Sequence, residues 1–511
     1  MTHQNLCRQT APTPALLNPR AKPETGIVHL GLGNFHRAHQ AMYTAAALAV
    51  DGGPWGILGV ANRSRAIVDA MKEQDLLYSI VKISPRGSKV TVPAAHSGVM
   101  VAQENPAGVV DALADPATRI VTITVTERGY TYSSENGALD VTSLLVRKDL
   151  SGLHTPTTTV GQIARALIRR ARTHGSPVTV VSCDNLLGNG NRTAALVREF
   201  ISHLLAGEAD EILAWMDVAV RFPNSMVDRI VPASADEYNT AAARALGVTD
   251  RISVPAEPFS MWVMEDSFAA GRPAWEVGGA VFTEDVEPYE LMKVRLLNGT
   301  HSLIAYLGAL DGRATIPDSI AQQWIADSAR EIMTQEYLPT VTVPASVDID
   351  AYTAQLFDRW SNSALGHRTS QVGSDGSVKL AQRIPIPAQQ HLDNGTVPHF
   401  LALTVAAYLC CMAPPHDFDP GHHARAMADN ARPQLAGLAR QAASTHDYVR
   451  TVFLGGDVFP SELAASDAFI SRIATFVDII IRHGPAAAVT EAFVGNSPSA
   501  QSDALTHEAA L

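Results

Sequence analysis

Lys293, Asn298 and His301 put an amine, an amide and an imidazole on one short segment, Lys293-Val-Arg-Leu-Leu-Asn298-Gly-Thr-His301. On an α-helix of 3.6 residues per turn, Asn298 lies about 140° and His301 about 80° around the axis from Lys293, so the three share one sector. A lysine that burial makes less basic can take the proton of an alcohol. An amide and an imidazole can donate hydrogen bonds to the same oxygen as it becomes a carbonyl. Such a set suits dehydrogenation of an alcohol without a metal. Polar residues on a helix are ordinarily solvated. Here Leu296, Leu297, Leu303, Ile304 and Leu307 make the surroundings apolar, and polar groups on a buried helix require partners or a purpose.

Larger elements must hold that segment, and 511 residues exceed what one hydrophobic core supports. Ile27-Val-His-Leu30 followed by Gly31-Leu-Gly33 reads as a strand turning into a helix; Gly56 to Val60, Ile120 to Val125 and Val178 to Cys183 are further strand candidates. Helical stretches such as Val160 to Thr173 alternate with them, which predicts an α/β domain with a parallel, Rossmann-type sheet. From about Pro288 the pattern changes to long helical runs: Glu290 to Leu310, Pro317 to Thr334, Phe400 to Met412 and Leu463 to Arg482. The chain therefore reads as a loose amino-terminal segment (1–25), a Rossmann-type dinucleotide-binding domain (26–285), a mostly α-helical substrate and catalytic domain (286–495) and a loose tail (496–511). The Lys293 segment then falls at a domain junction, where ligands collect.

The turn Gly31-Leu-Gly33-Asn34-Phe35-His36 has two of the three glycines of a dinucleotide fingerprint, with His36 in the place of the third. Between a strand and a helix it offers backbone N–H groups to a pyrophosphate, which makes Gly31, Gly33, Asn34, Phe35 and Arg37 candidate cofactor contacts. After the second strand, where an acid for the ribose hydroxyls is common, stand Asn62, Arg63, Ser64 and Arg65. Arg63 or Arg65 with Ser64 could hold a 2′-phosphate, so the expected cofactor is NAD or NADP. Three more polar segments follow predicted strands or turns: Thr126 to Tyr130, Ser182 to Asn185 leading to Asn189, and Phe222 to Arg229. Taken singly, each reads as a capping or turn device as readily as a binding group.

A formal charge of −12 gives no attraction to nucleic acid or an anionic membrane, and the expected partner is a small molecule. With 46% hydrophobic and 18% charged residues the composition is that of a globular protein, and oligomeric state is not legible in it. Cys7, Cys183, Cys410 and Cys411 form neither a disulfide framework nor zinc spacing, which fits a reducing cytoplasm. Met1 to Thr25 lacks the apolar core of a signal peptide, and the apolar run Leu401 to Met412 is too short to span a bilayer.

Together, Gly31-Leu-Gly33-Asn-Phe35-His36-Arg37-Ala-His39, Thr126-Glu-Arg-Gly-Tyr130, Ser182-Cys-Asp-Asn185, Ser225-Met-Val-Asp228-Arg229 and the Lys-x4-Asn-x2-His spacing of Lys293 to His301 resemble one family. It is that of the polyol-specific long-chain dehydrogenases, which includes mannitol 2-dehydrogenase and fructuronate reductase, and the resemblance covers nearly the whole chain. It implies a zinc-independent, NAD(P)-dependent enzyme interconverting a secondary alcohol and a ketone. Lys293 would be the general base in oxidation and the acid in reduction; Asn298 and His301 would hold the reacting oxygen, with Asn189 a second amide contact, and Asp228 would help bind substrate. His367-Arg368-Thr369 and Lys379 to Arg383 look more like fructuronate reductases, and Arg368 or Arg383 could fork onto a uronate carboxylate. The lean is to D-fructuronate and D-mannonate, with D-mannitol and D-fructose the alternative. Glu290, three residues before Lys293, could tune or relay its proton.

Three rival readings also fit parts of the sequence. Tyr289-x3-Lys293 matches the pair of short-chain dehydrogenases, in which tyrosinate is the base, but that pair belongs to chains of about half this length. His416, His422 and His423 could suggest zinc, yet no thiolates accompany them. A non-catalytic dinucleotide sensor would have no need of a base beside the nicotinamide.

Overall fold

Short runs of β-branched and apolar residues, each closed by a turn, build a six-stranded sheet. Its strands are β1 (Thr25–Leu30), β2 (Gly56–Ala61), β3 (His96–Val101), β4 (Ile120–Ile123), β5 (Val178–Ser182) and β6 (Val220–Arg221), and they lie side by side in the order β3-β2-β1-β4-β5-β6. Every pairing is parallel. This is the doubly wound dinucleotide-binding order, whose chain reverses direction between β1 and β4 and leaves a crevice at the strands' carboxyl ends. Helices cover both faces, which explains why β4 and β5 are buried at every residue and read as unbroken apolar runs. On one face Ile163, Leu167, Leu196 and Phe200 pack with Val121, Ile123 and Val180. On the other, Ala38, Ala41 and Ala45 pack with Ile57, Val181, Trp262 and Trp275.

The computed structural model describes residues 4–18, 22–133, 136–205, 207–415, 417–455 and 458–495, with the backbone alone at Arg128. The expected tail over 496–511 and His416 lie outside these. The chain divides between Glu287 and Pro288 into two units. The first holds two small sheets that periodicity does not reveal: Val254–Ala256, Ile80–Ser84 and Gly87–Thr91 in one, and Val281–Thr283, Met261–Glu265 and Ser225–Asp228 in the other. The amino-terminal segment departs from the expectation of looseness. Leu6 and Ala11 are buried with Leu77, Val92, Ala94, Leu246 and Val248, and Asn5 and Leu16 bridge to Thr249 and Val92. A few apolar side chains, with Ala15 and Leu16 packed beside Leu6 and Ala11, tie a polar, proline-bearing segment down.

The second unit is helical, with no strand among the described residues. His399–Met412 is buried at every position after His399, the mark of a central helix apolar all round, and it packs beside Asp467–His483. Where one long helix is expected from Glu290 to Leu310, the chain instead runs from an α-helix (Glu287–Met292) through a π-helix (Lys293–Gly299) into a second α-helix (Thr300–Leu310). A second π-helix, Ile332–Tyr337, ends the run that begins with Ile316–Ile320 and Gln323–Glu331. None of the described helices is long and apolar enough to cross a membrane.

Candidate active site

The π-helix changes the geometry of the Lys293 segment. Its hydrogen bonds join residues five apart, so side chains at i and i+5 come onto one side of the helix, and Lys293 and Asn298 are five apart. The roughly 140° between them on an α-helix narrows to about 50° at the π-helix's roughly 4.4 residues per turn, and His301 follows one α-turn beyond Asn298. Lys293 and His301 are each 8% exposed; the Asn298 side chain is half-buried and makes no hydrogen bond among the described residues. His301 Nε2 is buried and likewise lacks a partner there. A buried ring nitrogen without a partner is costly unless a ligand completes it.

Gly299 explains how the turn is seated. A Cβ there would lie 2.5 Å from Tyr337 Oη and 2.6 Å from its Cε2, so the Tyr337 ring occupies the space a side chain would need. In an ordinary helix interior Gly→Ala stabilises by about 1 kcal/mol. Here Gly299→Ala is expected to destabilise by about 1–3 kcal/mol through overpacking, read as a lowered melting temperature; a raised one would contradict the contact.

His301 sits among cations and rings. The His367 ring is 5.1 Å away, edge to face, and Trp360 is 6.2 Å away. Burial first, then His367, Arg383, Arg359 and Lys379, hold His301 well below the ordinary imidazole range, so it is neutral. Burial also brings His367 down to about 4 and Lys379 down to about 8. Lys379 Nζ donates to the carbonyls of Val372 and Ser374. The two arginines expected to read a carboxylate part company. Arg368, at the start of the Thr369–Gly373 helix, is exposed, and its side chain has no hydrogen bond or ion pair among the described residues. Arg383 instead spends Nη1 on the Asn298 carbonyl (2.9 Å) and Ser302 Oγ (2.7 Å), inside the Lys293 turn.

In the first unit, the glycine turn leaves β1 as expected. Gly31 has φ +110°, and a Cβ there would collide with the Thr124 carbonyl, so the position admits glycine alone. A Cβ on Gly33 would meet only the Gly31 carbonyl, at 3.7 Å, which leaves open the cradle that a pyrophosphate fills. The amides of Gly31 and Leu32 are taken by the Val60 carbonyl and that of Gly33 by Gly31. The donors left for a phosphate are therefore in the first turn of Asn34–Ala38, at Asn34 and Phe35. Arg37 is not among them. It is 2% exposed, donating to the Ile252 carbonyl (2.6 Å) and Asn34 Oδ1 (2.7 Å), and so braces the turn from inside. Asn62, Arg63 and Ser64 are exposed beyond β2; Arg65 pairs with Glu104 and Asp69, whereas Arg63 has no partner among the described residues.

His36, in the place of the third glycine, is fully buried. Its ring stacks on His29 of β1 (3.4 Å, 14°), and its Nε2 lies 3.2 Å from His96 Nε2 of β3. His29 Nε2 in turn reaches the Gly31 carbonyl (3.0 Å) and Thr124 Oγ1 (2.8 Å). A helix-packing glycine is thus replaced by a column of three imidazoles under the cofactor turn.

Beyond the carboxyl end of β5, Asn189 opens the helix Asn189–Leu204. It is fully buried, with Nδ2 donating to the carbonyls of Ser225 (2.7 Å), Asp184 (3.1 Å) and Ser182 (3.3 Å) and Oδ1 accepting from the Ser225 amide. An amide so placed staples two strand ends, with both Nδ2 protons and one Oδ1 lone pair engaged. Asp184 closes the same corner, accepting from the amides of Val125 and Thr126 and from Tyr130 Oη. Asp228 is buried at the end of its strand, opposite Met261.

Family models cover both units: the mannitol dehydrogenase Rossmann domain matches residues 25–277 and the mannitol dehydrogenase C-terminal domain residues 285–481. The chain belongs to the mannitol dehydrogenase family. It is 39% identical to the D-mannonate oxidoreductase of Escherichia coli (strain K12) over 76% of this chain and 79% of that one. It is 36% identical to a polyol:NADP oxidoreductase of Gluconobacter oxydans (strain 621H), over 70% of this chain and 73% of the other. The Pseudomonas fluorescens mannitol 2-dehydrogenase, solved as a ternary complex with NAD and D-mannitol, superposes with a TM-score of 0.82 at 30% identity, covering 97% of this chain and all of that one.

As a member of the mannitol dehydrogenase family the chain is an NAD(P)-dependent oxidoreductase acting on CH–OH groups of sugar alcohols or aldonates. Among the described residues no three His, Cys, Asp or Glu side chains converge as metal ligands would. Tyr289, the base of the tyrosinate rival, is buried, and its Oη is 2.6 Å from Ser346 Oγ. Arg359 and Tyr337, which border the Lys293 turn's residues, carry no signal in the sequence. They arrive from helices tens of residues downstream, and no local spacing announces them.

Proposed function

We propose that the chain interconverts an aldonate and its keto-acid, D-mannonate and D-fructuronate, by reversible hydride transfer with NAD(P). Bound at the glycine turn, the nicotinamide dinucleotide supplies the hydride acceptor in oxidation and donor in reduction. Lys293 Nζ takes the alcohol proton in oxidation and returns it in reduction. The Asn298 amide and the neutral His301 imidazole donate to the oxygen, and their hydrogen bonds strengthen as it gains negative charge. Arg368 pairs with the substrate carboxylate, and Asp228 accepts from a substrate hydroxyl. The observation that supports this reading is the π turn, whose wider winding puts Lys293 and Asn298 on one side of a buried apolar segment.

The carboxylate rests on charge. Arg359, Lys379 and Arg383 face His301, and Arg368 stands without a partner among the described residues, an environment that favours an anion over a neutral ketose. Following nicotinamide absorbance with fructuronate, tagaturonate and fructose, each with NADH and NADPH, tests substrate and cofactor at once. Fructuronate is expected to give the highest kcat/KM. Arg368→Met should raise its KM by roughly 10- to 100-fold, the worth of one charge-assisted hydrogen bond, and leave fructose unaffected. A preference for fructose would favour the mannitol reading, and no turnover with any pair would sink both.

A further inference from the structure

Arg383 closes the helix Gly376–Arg383 and enters the Lys293 turn from outside. Its Nη1 reaches the Asn298 carbonyl and Ser302 Oγ, and Ser302 Oγ also donates to that carbonyl at 3.2 Å. The carbonyl lies where the π-helix gives way to the α-helix that begins at Thr300. A side chain inserted into a helix ladder is a recognised cause of local departure from α geometry. The peptide fixed by the guanidinium follows Asn298 and precedes His301 by one turn, so its orientation sets the direction of both side chains. Against Gly299, the residue between them, the Tyr337 ring limits movement of the same peptide.

We propose that Arg383 is a positioning residue for the oxygen-holding pair Asn298 and His301, holding the Lys293–Gly299 π turn through the Asn298 carbonyl and taking no direct part in reading substrate. This rests on the proposed role of that pair. Arg383 has a second effect through charge. The groups facing His301 are His367 from the loop before Thr369–Gly373, Arg359 from Ile349–Trp360, and Lys379 and Arg383 from Gly376–Arg383; together with burial they hold the imidazole neutral. A lysine in place of Arg383 would keep the charge but lose the planar fork.

The test uses the full chain with Arg383→Met and Arg383→Lys. Steady-state kinetics are measured on a keto-acid and on a neutral ketose, and the His301 ring is titrated by NMR in 13C-histidine protein, its signal assigned by its loss in His301→Gln. Both variants are expected to lose kcat by roughly 10- to 100-fold on both substrates, with little change in KM. The His301 midpoint should rise in Arg383→Met and stay low in Arg383→Lys, and if the methionine variant does not fold, the lysine variant carries the kinetic test alone. A KM rise confined to the keto-acid with kcat unchanged would make Arg383 a substrate reader and overturn the proposal. So would an unchanged kcat with an unmoved His301 titration, whatever the melting temperature. The underlying reading fails separately: Asn298→Ala and His301→Gln retaining wild-type kcat would end it irrespective of Arg383.

Discussion

Lys293→Ala is expected to lower kcat by roughly 10²- to 10⁴-fold, the usual worth of a positioned general acid or base, while the affinity for the dinucleotide stays within about twofold. At about 1.4 kcal/mol per factor of ten, the loss is about 3–5 kcal/mol of transition-state stabilisation. The split follows from where the side chain sits. Lys293 opens the π turn of the helical unit, and the glycine turn that would bind the pyrophosphate belongs to the other. Truncation removes the proton carrier and leaves the glycine turn untouched. Quenching of intrinsic fluorescence by NADH measures the affinity, and rapid mixing measures the hydride step. Partial recovery of rate on adding a small primary amine would identify the missing group as a proton carrier, since an amine in solution cannot replace a packing contact. Turnover within tenfold of wild type would remove Lys293 from the chemistry and return attention to His301.

The two units were legible to different depths. β1, the glycine turn and the parallel alternation follow from residue types that have few other uses: a run of β-branched residues, then a glycine at φ +110° pressed against the Thr124 carbonyl. The helical unit could be recognised as helical, but not its π turn. Residue spacing alone does not distinguish an i→i+4 ladder from an i→i+5 ladder, and the features that accompany the wider one here, Arg383 on the Asn298 carbonyl and Tyr337 over Gly299, come from other helices. The same limit explains Asn189 and Arg37. A polar side chain near a strand end reads as a ligand contact, yet its hydrogen-bonding capacity can equally be spent on backbone carbonyls, and only the fold shows which. Arg368 and Arg383 look alike on the page of the sequence; one proves exposed and partner-free among the described residues, the other engaged in the turn.

The column His29, His36 and His96 should make the Rossmann unit sensitive to acid. All three are fully buried and held low by desolvation above all, His29 and His96 down to about 3 and His36 well below its ordinary value. A ring stacked 3.4 Å from another has no room for two charges, and the Nδ1 atoms of His36 and His96 have no acceptor among the described residues for an added proton. The unfolded chain titrates these rings near pH 6.5, so below that pH it binds protons the folded state refuses. Stability is therefore complete above about pH 6.5 and falls with pH toward the folded-state values. Once the unfolded rings are fully charged, each costs about 1.4 kcal/mol per pH unit, or about 4 kcal/mol per unit for the three together. Urea unfolding at steps between pH 7 and pH 4.5 measures the slope, and His96→Gln should lower it by about 1.4 kcal/mol per unit relative to wild type. Equal slopes in the two proteins would mean that the column is not what acid attacks. Because His29 Nε2 is bonded to the Gly31 carbonyl, the loss should reach the cofactor turn first: dinucleotide affinity is expected to weaken at a pH where the helical unit remains folded.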